Sequence, residues 1–271
     1  FYINGSWVAS QGGSQFPVID PSTEETVAQI MLGSEADTNA AVAAAKTAFP
    51  KWRLTSKAER LDLMQSILEV YKRRSDDLAE VISQEMGAPI DMARVQQSGT
   101  GSFHIQAFID AFKDFEFEAP LRPGNEDTRI IHEPIGVCAL ITPWNWPMNQ
   151  ISLKVMPALA TGCTMILKPS EQSPLSGIVW SEIMDEAGVP AGVYNMLNGD
   201  GAGVGSQLSS HKDVEMVSFT GSTRAGRLIT KAGADTIKRV SLELGGKGAN
   251  LVFADADPKA VAQGIARCFN N

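Results

Sequence analysis

Short apolar runs alternate with helical segments along the second half of the chain, and this alternation constrains the fold more than any other feature. The runs predict strands at residues 136–141, 164–167, 193–197, 216–219, 240–244 and 250–253, and the segments between them predict helices at 149–161, 175–187, 203–209 and 223–234. Such alternation is typical of a parallel sheet with right-handed crossovers. We therefore predict an α/β fold with a doubly wound parallel sheet. The carboxyl ends of its strands lie along one rim, where ligands bind in such sheets.

A helical pattern precedes this region, at residues 34–112. The sequence SKAE at residues 56–59 is a capping box, and apolar residues follow it at spacings of three and four. Residues 119–133 are rich in proline, glycine and charge and become strand-like at 129–132. We interpret that stretch as an excursion from the main body.

Composition and charge exclude several classes of protein. The chain has 271 residues, 44% of them hydrophobic, which is enough for one large domain or one domain and part of a second. A net charge of −8 gives no attraction to a nucleic acid backbone. No apolar run reaches the roughly 18 residues of a membrane span. The first residues show no signal-peptide pattern.

The cysteines are not spaced as metal ligands or as a disulfide framework. The chain contains three cysteines, Cys138, Cys163 and Cys268, and three scattered histidines. This spacing argues against a zinc site and favours a reducing compartment, so we expect a cytoplasmic protein. Because the chain begins at Phe1 and ends at Asn271 within a helical pattern, we expect it to be part of a longer protein.

A glycine-containing turn follows the strand at 216–219. Gly221 and Ser222 precede a helix beginning near Thr223, whose free N–H groups and positive dipole end suit a pyrophosphate. The spacing is G-x-x-x-x-G and not the dinucleotide fingerprint G-x-G-x-x-G, so an ordinary strand-to-helix turn is the alternative. The glycine-rich residues 198–205 fit the fingerprint in no register.

Lys168 and Glu171 follow another strand, in the sequence KPSE at 168–171. A carboxylate accepts hydrogen bonds from both hydroxyls of an adenosine ribose, an ammonium can donate to the same sugar, and the carboxylate repels a 2′-phosphate. The pair therefore favours NAD over NADP. The alternative is a surface ion pair, worth about 0 to 1 kcal/mol.

Glu243 lies in a predicted strand, on the same face as Ser241. Strands in the middle of a doubly wound sheet are covered on both faces, so we expect a partly desolvated carboxylate with a raised pKa, suited to act as a general base. The alternative is a solvent-facing strand residue.

Asn145 lies in a corner that contains two prolines and two tryptophans, the sequence ITPWNWP at 141–147. A neutral amide donor suits an oxyanion, and Pro143 and Pro147 restrict the backbone that carries it. We expect Trp144 and Trp146 to form walls of a cleft. In the alternative, the aromatics fill the core and Asn145 caps the next helix.

These motifs together resemble the aldehyde dehydrogenase superfamily. The resemblance rests on ITPWNWP at 141–147, KPSE at 168–171, FTGSTRAG at 219–226, LELGGK at 242–247 and the opening YINGSW at 2–7. It covers the whole chain. It implies the NAD(P)-dependent family's Rossmann-like sheet with N-terminal helices, and the oxidation of an aldehyde to an acid through a cysteine thioester.

The resemblance also implies residue roles. Asn145 stabilises the oxyanion, Glu243 activates the water that hydrolyses the thioester, and Lys154 belongs to a proton relay unless it is a helix lysine extending to solvent. No metal is expected. The expected contacts of NAD, with NADP as the alternative, are Ile141, Thr142, Pro143, Trp144, Lys168, Ser170, Glu171, Gly201, Gly205, Phe219, Thr220, Gly221, Ser222 and Leu244.

The same resemblance divides the chain. It implies a cofactor-binding domain at 1–118 and 136–246, oligomerisation strands at 119–135 that pair subunits of a homodimer or homotetramer, and the start of a catalytic domain at 247–271.

The chain departs from the family pattern in its nucleophile. The family's cysteine is expected in an N-x-G-Q-x-C-like segment about five residues beyond Asn271, so we expect this chain alone to be inactive. Cys268 falls in a helical pattern and precedes the matching Asn270 and Asn271, so we do not assign it that role. Two alternatives remain: a coenzyme-A-acylating relative, against which Glu243 weighs, and a non-catalytic dinucleotide-binding module.

Overall fold

The computed structural model describes residues 1–269, without the side chains of 125–126 and 267–269. Asn270 and Asn271, which match the family's segment, lie outside the described residues. The strands are β1 (Tyr2–Ile3), β2 (Ser6–Trp7), β3 (Ser14–Ile19), β4 (Thr26–Leu32), β5 (Glu118–Arg122), β6 (Asn125–Ile131), β7 (Val137–Ile141), β8 (Thr164–Lys168), β9 (Tyr194–Met196), β10 (Met216–Gly221) and β11 (Arg239–Leu244).

A seven-stranded sheet forms the centre, in the order β11-β10-β7-β8-β9-β1-β2. The neighbours from β11 to β9 are all parallel, and β1 joins β9 antiparallel. The predicted strands at 136–141, 164–167, 193–197, 216–219 and 240–244 are therefore confirmed within a residue or two at their ends. The order changes direction around β7, because β8 lies on one side of it and β10 on the other.

Helices cover the sheet. They are α1 (Glu35–Trp52), α2 (Lys57–Arg73), α3 (Ser75–Met86), α4 (Ile90–Met92), α5 (Gly99–Asp114), α6 (Pro147–Ala160), α7 (Leu175–Glu186), α8 (Ser206–Ser210), α9 (Thr223–Gly233) and α10 (Pro258–Phe269). The capping box predicted at Ser56 is present, since Ser56 Oγ accepts from the Glu59 N–H and the Glu59 side chain accepts from the Ser56 N–H. Two π-helical turns, at Ala93–Ser98 and Gly201–Gly205, interrupt this pattern.

The core has two parts, one on each face of the sheet. One contains side chains of α2, α3, α5, α6 and α7, with Trp180 and Tyr71 among the largest buried residues. The other contains side chains of α1, α8 and α9, such as Ala41, Leu208 and Ile229. Since helices cover both faces of a mostly parallel sheet, the doubly wound prediction is confirmed.

The excursion at 119–133 is a hairpin. Strands β5 and β6 pair only with each other among the described residues, and Arg129 lies 2.9 Å from Glu118 across the pair. The apolar side chains of Leu121, Ile130 and Ile131 are exposed.

The strand predicted at 250–253 is wrong. These residues follow β11, the edge strand, and have no strand or helix assigned. Leu251, Val252 and Phe253 are 76%, 52% and 74% exposed, so no neighbouring strand within the described residues buries them. Apolar sequence alone therefore gave the wrong structure here. Within residues 1–269, no helix is both long and apolar enough to cross a membrane.

Candidate active site

A cleft of about 1210 Å³ opens at the carboxyl ends of β7, β10 and β11. Asn145, Lys154 and Glu243 all line it, although they come from a loop, a helix and a strand. Gly221 and Ser222 lie in the same wall, at the start of α9. The sheet thus brings together residues almost one hundred positions apart.

Alternation along β10 and β11 produces the polar floor of this cleft. The strands pair Ser218 with Ser241 and Thr220 with Glu243, and all four side chains line the cleft. The intervening Phe219 and its neighbours Val217, Val240 and Leu242 join the core on the opposite face. A parallel pair keeps partnered side chains on one face, so one strand register supplies four polar groups.

Asn145 is exposed within the short corner between β7 and α6. Trp146, not Asn145, is the N-cap of α6, and it makes no side-chain capping bond. Trp144 is 53% exposed and, like Trp146, lines the cleft. The alternative of core aromatics with a capping asparagine is therefore wrong. The amide of Asn145 is available to a ligand in the cleft.

Lys154 projects from α6 beneath the polar floor. It is 7% exposed, and its Nζ donates to Ser218 Oγ at 3.0 Å. Burial lowers the pKa of Lys154 to about 8, and the nearby charge of Glu243 opposes that shift. A lysine extending to solvent is excluded by this geometry. A buried amine with such a pKa can exchange a proton near neutral pH.

The expectation that Glu243 is buried in the middle of the sheet is wrong for this chain. Glu243 lies in β11, the edge strand, and its side chain is exposed. The prediction assumed a central strand, but the order along the sheet cannot be read from alternation alone. Its predicted face is nevertheless correct, because Glu243 and Ser241 both line the cleft.

A second cavity of about 610 Å³ lies across the tip of β10, between Glu171, the π-helical turn at Gly201–Gly205 and α9. Asp200 accepts from the N–H of Gly203 at 2.6 Å and so fixes the start of this turn. Arg224, near the start of α9, adds a cation to the lining.

Ser222 is the N-cap of α9. Its Oγ accepts from the Ala225 N–H at 3.2 Å, which leaves the hydroxyl proton available to another acceptor. The start of α9 lies between the two cavities, since Ser222 lines the first and Arg224 the second. Its N–H groups are the type that binds pyrophosphate.

Lys168 is buried and not part of a surface ion pair. Its Nζ donates to Pro169 O at 2.9 Å, to Gly199 O, and more weakly to Glu171 Oε2 at 3.5 Å. Burial lowers the pKa of Lys168, and Glu171 opposes that shift. Lys168 therefore ties the glycine-rich loop to the end of β8, while Glu171 keeps a partly exposed carboxylate in the second cavity.

Comparison with known proteins identifies this arrangement. The sequence profile of the "Aldehyde dehydrogenase family" matches residues 7–271. The chain belongs to the aldehyde dehydrogenase family.

Individual proteins that are similar to this chain are also named as dehydrogenases. A 3-succinoylsemialdehyde-pyridine dehydrogenase from a Pseudomonas species is 49% identical over 267 residues, which are 98% of this chain and 55% of that protein. The crystal structure of an aldehyde dehydrogenase from Bartonella henselae matches 99% of this chain and 56% of that one, with a TM-score of 0.98 and 58% sequence identity. The structure of a mutant aldehyde dehydrogenase C from Pseudomonas syringae with NAD+ and octanal matches 99% of this chain and 55% of that one, with a TM-score of 0.95 and 46% identity. This chain spans about half the length of these relatives.

The residues that the family resemblance selected fall into three groups. Besides Asn145, Lys154 and Glu243, the first cleft is lined by Pro143, Trp144, Thr220, Gly221, Ser222 and Leu244. The second cavity is lined by Ile141, Glu171, Gly201, Gly205 and Phe219. Thr142, Lys168 and Ser170 are buried behind this rim.

Neither of the two cysteines whose side chains the structure describes lines a cavity of this site. Cys138 and Cys163 are buried in the core, as predicted for small apolar residues. Cys268 lies in α10, as its helical pattern predicted, and its side chain lies outside the described part.

Sequence reasoning missed several residues of the site. The sequence could have indicated Ser218, because in β10 it lies two residues before Thr220 and therefore on the same face of the strand. The sequence could also have indicated Asp200, because an aspartate before a glycine-rich turn is a typical N-cap. Gln97 also lines the first cleft, but it lies in a π-helical turn that no periodicity in the sequence indicates.

Proposed function

We propose that this chain is the cofactor-binding part of an NAD-dependent aldehyde dehydrogenase that converts an aldehyde to a carboxylic acid through a cysteine thioester. The observation that carries the proposal is the meeting of Asn145, Lys154 and Glu243 in one cleft beside the N-terminus of α9. In this proposal, residues 1–118 and 136–246 bind the cofactor, and a catalytic domain begins at 247.

The residues present fit a dinucleotide. The hydroxyls of Thr142 and Thr220 are buried and have no hydrogen-bond partner among the described residues, which leaves donors at the tip of the sheet. The N–H groups of α9 and the Ser222 hydroxyl would hold the pyrophosphate. Glu171 would accept from the ribose hydroxyls and repel a 2′-phosphate, which favours NAD and leaves NADP as the weaker alternative.

The chain's own groups supply the proton chemistry. Asn145 donates its amide N–H to the carbonyl oxygen of the substrate as negative charge develops there. Bound NAD would accept the hydride that leaves the substrate. Glu243 takes a proton from water, which then attacks the thioester. Lys154, with a pKa of about 8, exchanges protons with the polar floor through Ser218.

Relatives support the cofactor and the substrate class. Aldehyde dehydrogenase C of Pseudomonas syringae was crystallised with NAD+ and octanal, and PnpE with nicotinamide adenine dinucleotide. These proteins are 46% and 38% identical to this chain. The nucleophilic cysteine is placed beyond Asn271 by this proposal, so the chain alone would be inactive.

The assembly and location belong to the same proposal. The hairpin of β5 and β6 carries the exposed Ile130 and Ile131 and leaves strand edges unpaired within the described residues. Such edges pair with another chain unless they are protected. We assign this hairpin to subunit pairing in a homodimer or homotetramer, and the protein to the cytoplasm.

A panel of aldehydes tests the function, with NADH formation by the complete gene product as the readout, in the presence and absence of coenzyme A. NADH and free acid formed without coenzyme A are the expected result. Turnover that requires coenzyme A would replace the proposal with the acylating alternative. Binding of NAD without oxidation of any aldehyde would replace it with the binding module.

A further inference from the structure

The corner that carries Asn145 is tethered by a buried side chain from a distant helix. Gln97 is fully buried, and its Nε2 donates to the backbone carbonyl of Asn145 at 3.3 Å. Only the nitrogen of the amide can face a carbonyl oxygen, so this contact fixes the orientation of the Gln97 side chain. Its Oε1 is buried and has no partner among the residues that the structure describes.

Gln97 lies in the π-helical turn at Ala93–Ser98, between α4 and α5. This wider turn places two consecutive polar residues, Gln97 and Ser98, on the buried side. Single π-turns within α-helices are rare and frequently occur at functional sites.

Three hydroxyl groups stabilise the carbonyls around this turn. Thr100 Oγ1 donates to Gln97 O at 2.9 Å, Tyr71 Oη to Ser98 O at 2.7 Å, and Ser102 Oγ to Gly99 O at 2.9 Å. Tyr71 is fully buried on α2, so its hydroxyl reaches the turn from the core.

Gly101 makes room for that hydroxyl. A Cβ atom at this position would lie 2.0 Å from Tyr71 Oη, a distance that no side chain tolerates. Tyr71 and Gly101 therefore pack together against the π-turn, and the Gln97 side chain extends from this turn to the Asn145 corner.

We propose that Gln97 is a positioning residue for the reaction, which holds the Asn145 corner so that the Asn145 amide faces the substrate oxygen. Gln97 acts through the backbone of Asn145 and not on the substrate. The tether matters because the side chains of Trp144 and Asn145 themselves are exposed. Its catalytic consequence rests on the proposed function, whereas the tether itself does not.

Hydrogen exchange tests the tether in the complete gene product. We expect Gln97→Met to accelerate exchange of the Gln150 backbone amide, which donates to Trp146 O at 3.0 Å beside the Asn145 corner, about threefold to tenfold, the effect of losing one uncharged hydrogen bond. Gln96→Met is the matched control, since Gln96 is exposed on the same turn. Equal exchange in Gln97→Met and Gln96→Met would overturn the proposal whether or not the protein oxidises aldehydes.

A double-mutant cycle tests the consequence for catalysis. We expect Gln97→Met to lower kcat about tenfold to a hundredfold, because small misplacements of a catalytic group have effects of this size, and to leave the KM for NAD within about twofold. In an Asn145→Ala background the same change should have almost no further effect. An equal loss in both backgrounds would contradict action through Asn145.

Gln97→Glu supplies a conservative variant should the methionine disturb folding. A carboxylate cannot donate to the Asn145 carbonyl, but a protonated carboxyl can, and burial favours the protonated form. Its activity relative to wild type should therefore rise as the pH falls, while that of Gln97→Met stays flat. A flat ratio for both variants would overturn the proposal. Complete absence of aldehyde oxidation in the wild type would instead remove the proposed function and leave the exchange result to decide the tether.

Discussion

The carboxylates of the two cavities differ in their surroundings, since Glu171 is half-buried beside Lys168 and Glu243 is exposed. Around the second cavity, Lys168 is buried and bonded to Pro169, Gly199 and Glu171, and α9 closes the far side. In the first cleft, Glu243 lies exposed on the edge strand β11. Under the proposed function, the carboxylate assigned to the ribose is therefore held by a buried lysine of this chain, whereas the carboxylate assigned to hydrolysis lies at an open edge.

Under the proposed function, this difference separates cofactor binding from catalysis. A carboxylate needs partial desolvation to act as a strong general base, and an exposed edge does not supply it. The chain spans about half the length of the similar proteins, and under the proposed function the catalytic side needs that further length whereas the cofactor side does not. The following predictions test that division.

The largest effect is expected at Glu243. In the complete gene product, Glu243→Gln should leave an initial burst of NADH and reduce steady turnover about a hundredfold to ten-thousandfold, because only the step that needs a general base is lost. Stopped-flow absorbance of NADH separates the two phases. Glu80→Gln, at an exposed site on α3, is the control. Unchanged steady turnover would remove Glu243 from its assigned role.

The second largest effect is expected at Asn145. Asn145→Ala should lower kcat about a hundredfold to a thousandfold, the range measured for single oxyanion donors. The burst should slow as well as the steady rate, since the donor acts before hydride leaves. The affinity for NAD is the internal control, measured by titration. A slowed steady rate with a normal burst would place Asn145 in hydrolysis only.

Lys154 provides a prediction on pH. Burial lowers its pKa from 10.5 to about 8, so between these values the unfolded chain binds more protons than the folded one. Stability therefore rises with pH in that window. Relative to Lys154→Met, wild type should gain up to about 3 kcal/mol in the free energy of unfolding between pH 8 and 10.5. Urea titrations across this range measure the change, with the exposed Lys231→Met as control. A constant difference would show that Lys154 titrates normally.

The smallest effect is expected at Glu171. Glu171→Ser should improve the use of NADP relative to NAD by about tenfold, because a repulsive charge near the 2′ position is removed. Glu171→Gln separates charge from hydrogen bonding, since it keeps an acceptor. An unchanged preference in both variants would argue that Glu171 does not contact the ribose.

Much of this arrangement could be predicted from sequence. Alternation indicated the parallel sheet and the shared face of Ser241 and Glu243, and the end of each strand indicated which residues meet. The order of strands could not be read in this way, so Glu243 was expected in the middle of the sheet and lies at its edge. Residues 250–253, which include the apolar run at 251–253, were expected to form a strand, but strand formation depends on a neighbouring strand and not on composition alone.

The details that depend on tertiary packing were also beyond the sequence. The pattern KPSE indicated a charged pair but not that Lys168 would be buried with its protons directed to carbonyl groups. The π-turn at Gln97 depends on the Tyr71 hydroxyl and the space at Gly101, residues thirty positions apart that no local pattern connects.

Titration calorimetry of NAD into this chain alone tests the central claim most directly. The account predicts one NAD bound per chain, with affinity weakened by Glu171→Ser, and no aldehyde dehydrogenase activity by the chain itself. Absence of NAD binding by the folded chain, together with binding by the complete gene product, would contradict the claim that these residues alone form the cofactor site.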